Sequence, residues 1–275
     1  MNSVARYAVL VACGCNQFYG LESTRLPYDA LVVGCPEGRA PRFSPAIHQA
    51  VQQDCSQYHF NADASLATAL CRGYPAKIFV GRRDEMLELQ VVPVTPTSTF
   101  YFSAHPAPAS RRIYMQKVVN GTPTTHEVVT FDEMAEGAWI ETGKLPIPFT
   151  NAHRKSSVFR GATGDRLIVL HLAMDEMIEY EREGTSWVQR GPTRLRPTMF
   201  NGSLAFSLTT DGLRAVYLGE DRKTLLYVSR PDLDSWFGDP LPLEGAPAVE
   251  EAQLTEDCAR LYYNGLDSIF YSEQG

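Results

Sequence analysis

Six histidines, six cysteines and a set of paired carboxylates are the groups through which this chain could do chemistry. The histidines are His48, His59, His105, His126, His153 and His171. None falls at i, i+4 or in a spacing typical of metal ligands, so the sequence nominates no metal site. The acidic pairs are Asp84-Glu85, Asp132-Glu133, Asp175-Glu176, Glu220-Asp221, Glu250-Glu251 and Glu256-Asp257. Glycosidic cleavage needs two carboxylates facing one another across a substrate. Most of these pairs fall instead in predicted turns on the solvated rim. No G-x-S-x-G elbow occurs, and the run from Gly161 to Asp165 lacks the lysine of a phosphate-binding loop. The sequence therefore nominates no catalytic residue and no cofactor.

The cysteines are Cys13, Cys15, Cys35, Cys55, Cys71 and Cys258, with no C-x-x-C pair. Arg6 precedes a short apolar run that ends at Cys13-Gly14-Cys15. A positive residue, an apolar stretch and small residues describe an export signal. Leu10-Val11-Ala12-Cys13 resembles a bacterial lipobox, in which the cysteine is lipidated. Lipidation at Cys15 would leave four cysteines, an even set; lipidation at Cys13 would leave five. Both registers stay open. Residues 14–24 resemble the start of mature bacterial lipoproteins. Gly14 or Asn16 would follow the lipidated cysteine, and neither is the aspartate of inner-membrane retention, so an outer-membrane lipoprotein or a periplasmic protein is expected. An exported protein can hold disulfides, and the candidates are Cys35, Cys55, Cys71 and Cys258. Cys55 and Cys71 flank a predicted hairpin and are expected to pair with each other.

The elements that must position these residues read as strands. The net charge of −7 and the pI of about 5.4 give no footprint for nucleic acid or for an anionic membrane. No stretch reaches the length of a spanning helix. Residues 1–15 read as leader, 16–40 as tether and 41–275 as one all-β domain. Ser44-Pro45 with apolar residues at Phe43, Ile47, Val51 and Cys55 predicts a short helical turn. Asp211-Gly212 is a tight-turn dipeptide. It is followed by a strand over 213–218, a charged turn over 220–223 and a second strand over 225–228, ended by Arg230-Pro231. Trp236 then opens a polar link. The three tryptophans, Trp139, Trp187 and Trp236, are spaced 48 and 49 residues apart, and each leads into a similar link. A fixed period with several short strands per unit indicates a propeller. The competing architecture is a β-sandwich with the tryptophans in unrelated positions.

Residues 208–240 and 254–271 resemble the WD-like β-propeller repeat of bacterial periplasmic and surface proteins. The shared parts are the Asp-Gly turn, the aromatic strand and the aromatic-Gly-x-Pro link. Thr209-Thr210 replace Ser-Pro, and Cys258 replaces the turn glycine. The resemblance implies a fold more than a function. Five blades are expected, the last completed by strands from residues near 43–60; a sixth blade requires more strands within 41–96. The expected function is a non-enzymatic binding scaffold for protein or glycan at the cell envelope. Its binding-loop candidates are His105, Arg194, Arg230 and Trp236. The alternative is a polysaccharide hydrolase with carboxylates in the channel.

Overall fold

The computed structural model describes residues 34–36, 38–44, 48–51, 55–62, 66–71, 77–81, 90–91, 99–119, 124–135, 138–147, 153–161, 163–171, 176–192, 206–247, 249, 251–264 and 269–275. The expected leader and most of the expected tether lie outside them. A compact unit runs from Cys35 to Gly275.

The described strands form five four-stranded antiparallel sheets, each built from strands consecutive in sequence but for one exception. Blade 1 is β2 (Cys55–Phe60), β3 (Ala67–Cys71), β4 (Lys77–Gly81) and β5 (Gln90–Val91). Blade 2 is β6 (Thr99–Pro106), β7 (Arg112–Val119), β8 (Thr125–Ala135) and β9 (Ala138–Lys144). Blade 3 is β10 (His153–Arg160), β11 (Asp165–His171), β12 (Glu176–Glu183) and β13 (Ser186–Pro192). Blade 4 is β14 (Phe206–Leu208), β15 (Arg214–Leu218), β16 (Leu225–Ser229) and β17 (Leu241–Pro242). Blade 5 is β18 (Ala252–Leu254), β19 (Arg260–Asn264) and β20 (Ile269–Glu273), completed by β1 (His48–Val51) from the other end of the chain.

The first strand of each blade is innermost. Strands β2, β6, β10, β14 and β18 touch in succession, and β19 and β20 return to β2. The described residues therefore form an all-β propeller of five blades. Ring closure hides the sheet edges that an open array would expose. Within the expected helical turn, residues 48–51 are corrected to a strand: β1 pairs with β20 through His48↔Tyr271 and Gln49↔Phe270. Its four-residue apolar spacing loses to the tertiary demand of the unpaired β20 edge, because buried backbone groups must find partners.

Each blade repeats one packing unit. The pairs Phe60↔Ala67, Pro106↔Ile113, Val158↔Leu167, Leu208↔Ala215 and Leu254↔Leu261 join first and second strands. Every second-strand member, Ala67, Ile113, Leu167, Ala215 and Leu261, is fully buried. Of these, Ile113, Leu167, Ala215 and Leu261 feed apolar clusters that lie between blades rather than within one. Phe159 and Ile168 of blade 3, for instance, pack on Leu208, Ala215 and Tyr217 of blade 4. The seam between blades 5 and 1 is aromatic: Tyr262 lies 5.4 Å from Tyr58 and 5.0 Å from Phe60, centroid to centroid. Rings at that separation add about 0.5–1.5 kcal/mol per pair beyond the area they bury.

The tryptophan period marks blades but not equivalent environments. Trp139 in β9 is buried, Trp187 in β13 is half-buried against Tyr114 at 5.7 Å, and Trp236 is 53% exposed in the link before β17. Phe237 takes the buried position beside it. Among the acidic pairs, Asp132-Glu133 lies in β8 rather than in a turn. Asp132 accepts from Arg112 Nε at 2.6 Å, and Glu133 pairs with Arg111.

Two turns are built alike. In 209–214 the Gly212 N–H donates to the Thr209 carbonyl (2.8 Å), Leu213 N–H to Asp211 Oδ1 (3.0 Å) and Arg214 N–H to Thr209 Oγ1 (3.1 Å). In 255–260 the Cys258 N–H donates to the Thr255 carbonyl (3.0 Å), Ala259 N–H to Asp257 Oδ1 (3.0 Å) and Arg260 N–H to Thr255 Oγ1 (3.0 Å). Both need a left-handed fourth residue. Gly212 supplies it at φ 71°, and Cys258 adopts φ 59° with a side chain, which costs about 1–2 kcal/mol. Cys258 is disulfide-bonded to Cys35, with a Cα–Cα distance of 5.0 Å.

Candidate functional site at the channel

One residue short of each packing pair, on the innermost strand, sits a polar side chain. These are His59 (paired with Thr68), His105 (with Tyr114), Ser157 (with Ile168), Ser207 (with Val216) and Gln253 (with Tyr262). Alternation along a strand turns these five away from the apolar neighbour that follows each of them. His105, Ser157, Ser207 and Gln253 are buried and His59 is half-buried.

Three of the five meet. The His59 and His105 rings lie 4.0 Å apart, centroid to centroid, tilted by 37°. His59 Nδ1 is 3.2 Å from Gln253 Oε1. Side chains from blades 5, 1 and 2 thus converge from three inner strands, as groups lining the axis of the ring must. Behind them, Thr68 Oγ1 donates to the Ala104 carbonyl at 2.8 Å and ties β3 to β6. The five positions carry two imidazoles, two hydroxyls and an amide, and no carboxylate. Among the described residues no cluster of three or more His, Cys, Asp or Glu has the geometry to hold a metal ion.

The face next to this ring carries the turns between first and second strands, and they are laced together. Ala62 N–H of blade 1 donates to the Pro108 carbonyl of blade 2 at 3.2 Å. Tyr114 Oη of blade 2 donates to Asp165 Oδ2 of blade 3 at 2.6 Å, and burial pushes that phenol's pKa up. Arg160 N–H of blade 3 donates to the Thr210 carbonyl of blade 4 at 2.7 Å. Thr210 Oγ1 donates to Glu256 of blade 5, whose carboxylate also faces Arg160 Nη2 at 3.6 Å.

The sequence-nominated binding residues divide on this frame. His105 belongs to strand β6 rather than to a loop and joins the ring with His59. Arg194 lies outside the described residues. Arg230 is corrected from an exposed loop residue to a buried one. Its Nε donates to the Gly212 carbonyl at 2.8 Å, its Nη1 donates to the Leu233 carbonyl at 3.0 Å, and its guanidinium stands 4.7 Å from the Phe237 centroid. The long stem and planar fork of arginine let it staple the 231–238 link to the 209–214 turn. Trp236 is exposed on that link, among the exposed Asp232, Asp234 and Asp239. Of the cysteine candidates, Cys35 and Cys258 are bonded to each other. Cys55 and Cys71 are Cα partners across β2 and β3, and their side chains lie outside the described residues. Cys13 and Cys15 also lie outside.

Between blades 3 and 4 lies a buried charge cluster. Arg166 Nη1 is 3.5 Å from Glu179 Oε2, Arg166 Nη2 is 3.1 Å from Glu181 Oε2, and Arg230 Nη1 is 3.8 Å from Glu179 Oε1. Arg190 Nε adds a contact to Glu181 at 2.8 Å. Burial alone would raise the pKa of Glu181. The Thr163 N–H and the two guanidiniums outweigh it and hold the value at about 2. A depressed carboxylate pKa contributes stability that is complete above the unfolded value near 4.5 and is lost as pH falls towards 2. Glu181→Gln should therefore cost on the order of 2–3 kcal/mol at neutral pH. In urea unfolding followed from pH 7 to 2, the gap between variant and wild type should be constant down to about pH 4.5 and shrink below it. A gap unchanged at pH 2 would contradict the assignment.

No protein-family model matches the chain, and no curated protein matches it. Solved structures do. A gluconolactonase from Xanthomonas campestris superposes with a TM-score of 0.50 at 8% identity, covering 88% of this chain and 97% of that one. A glucose dehydrogenase gives 0.49 at 12%, covering 84% and 100%. A protein of unknown function from Desulfotomaculum acetoxidans gives 0.48 at 10%, covering 77% of this chain; the chain spans 63% of that protein's length. At such identities the likeness is one of fold alone.

Proposed function

We propose that this chain is an exported, lipid-anchored propeller that acts as a non-enzymatic binding scaffold at the cell envelope. Its ligand is a neutral glycan held on the face next to the channel ring. The observation that carries this reading is the ring itself. His59, His105, Ser157, Ser207 and Gln253 bring hydrogen-bonding side chains, the complement of hydroxyl groups, to positions where a hydrolase of the competing kind would need paired carboxylates. Trp236 supports it. It is the one exposed member of the tryptophan period, and an indole with an open face offers apolar area for a sugar ring.

Export is supported by the Cys35–Cys258 disulfide, since such bonds persist in oxidising compartments. The anchor is placed at Cys13 or Cys15 on the lipobox-like sequence alone. Metabolic labelling with a palmitate analogue tests it: label should be present in the wild type and lost in the Cys13→Ala/Cys15→Ala double variant. Label that survives in the double variant, or none in the wild type, contradicts the anchor.

The ligand reading is tested by titrating the purified protein with a panel of neutral oligosaccharides. At least one should bind. Trp236→Ala should weaken it about tenfold, or ~1.4 kcal/mol. The unfolding midpoint should stay where it is, because an exposed side chain outside the core contributes little to stability. Failure of every neutral oligosaccharide to bind would contradict the reading.

A further inference from the structure

We infer that the Cys35–Cys258 disulfide is a redox latch on ring closure, and that its state controls the order of the seam where the two ends of the chain meet.

Three observations converge on it. First, the 255–260 turn has the same hydrogen bonds as the 209–214 turn, in which glycine occupies the left-handed position. The turn itself gains nothing from a cysteine at φ 59°. What the cysteine supplies is the bond to a residue 223 positions away. Second, Cys35 heads the strap that leads into the closing strand. Downstream of it Phe43 N–H donates to the Glu244 carbonyl (3.0 Å), Ser44 N–H to the Glu273 carbonyl (2.8 Å), and β1 pairs with β20. Third, β1 is separated from β2 by only the residues 52–54, and β2 carries His59, whose contact with Gln253 spans blades 1 and 5. Disulfide, strap, closing strand and channel ring therefore form one continuous run of chain.

The two sulfurs differ in access. Cys258 is fully buried, and Cys35 is only partly so. Reduction by a dithiol accordingly begins at Cys35. The attacking thiolate forms a mixed disulfide with Cys35 Sγ, the S–S bond breaks, and Cys258 leaves as a thiolate that takes up a proton. The reductant's second thiolate then attacks the mixed disulfide, frees Cys35 and closes the reductant's own disulfide. Two electrons pass from dithiol to protein. The freed Cys35 thiol finds an acceptor already in place, because its sulfur lies 3.1 Å from the Glu256 carbonyl oxygen. Apolar packing of Phe43 still holds the reduced strap to the domain, so the seam loosens without the ring coming apart. That the loosened seam also weakens ligand binding rests on the scaffold reading above; the latch does not.

Hydrogen exchange on the full chain tests the latch without any ligand. Reducing the wild type with dithiothreitol should speed exchange about tenfold in peptides spanning 42–51 and 269–275, and leave 112–119 and 165–171 unchanged. Cys35→Ser without reductant should reproduce that pattern. Cys35→Ser with Cys258→Gly also lacks the bond and should show the same acceleration, even though glycine takes the left-handed position at no steric cost. Identical exchange at the seam before and after reduction, or equal acceleration in all five blades, would overturn the inference. The reduction arm uses the wild type alone and so stands even if the variants fold poorly.

Discussion

Replacing Arg230 by alanine should lower the unfolding free energy by about 3–5 kcal/mol, the usual loss when one member of a buried ion pair is removed. The side chain is entirely enclosed, and its pKa is lowered chiefly by that burial. Alanine would leave the Gly212 and Leu233 carbonyls without the guanidinium donors at 2.8 and 3.0 Å. It would also remove the cation from the Phe237 face and take one cation away from Glu179. Buried acceptors stripped of donors each cost about 1–3 kcal/mol. The pairing can be separated from the packing by a double-mutant cycle. Arg230→Met with Glu179→Met should be less damaging than the sum of the single changes, with a coupling of about 1–3 kcal/mol. Additive losses would mean that the two charges do not sense each other across the blade interface.

The second large effect is expected at Gly212. A methyl group there would overlap Phe159 Cδ2 and come within 2.7 Å of Cε2, and φ is 71°. Phe159 is fully buried in the cluster between blades 3 and 4, so the ring has nowhere to retreat. Gly212→Ala should cost about 3 kcal/mol, combining the left-handed penalty with overpacking. Urea unfolding should show a lowered midpoint at an unchanged slope. Cys258 is the natural comparison, because it carries a Cβ in the same turn and the same left-handed region. A Gly212→Ala variant as stable as wild type would show that Phe159 is not wedged against that turn.

The propeller was legible because its repeat is written in local residues. Asp211-Gly212, the strand that follows it and the tryptophan-marked links recur at a nearly fixed interval, and the strands of blades 2 to 4 fall where that interval puts them. Completion of the last blade from the other end of the chain was also readable, because three strands near the carboxyl end leave an edge that a ring cannot tolerate. The conformation of that closing segment was not. Its apolar spacing is helical, and only pairing with β20, far away in sequence, makes it a strand.

The candidate site was less visible. His59 and Gln253 have no motif, and their meeting depends on ring closure, which joins positions 194 residues apart. A signal did exist. The five ring residues fall 46 to 52 residues apart, one per repeat, each just inside the first turn of its blade. Aligning first strands rather than tryptophans exposes it. Arg230 misled for the opposite reason. Its place before Pro231 reads as an exposed loop, but only the folded link shows that its guanidinium turns inward to the Gly212 carbonyl.

The central claim, a propeller that binds a neutral glycan without cleaving it, is tested most directly by the fate of a bound glycan. Purified protein would be incubated with a panel of neutral polysaccharides, with retention measured beside the appearance of new reducing ends. The expected result is retention of at least one polysaccharide with reducing ends no higher than in the protein-free control. Reducing ends that accumulate with time, and cease when a single carboxylate is replaced by its amide, would contradict it.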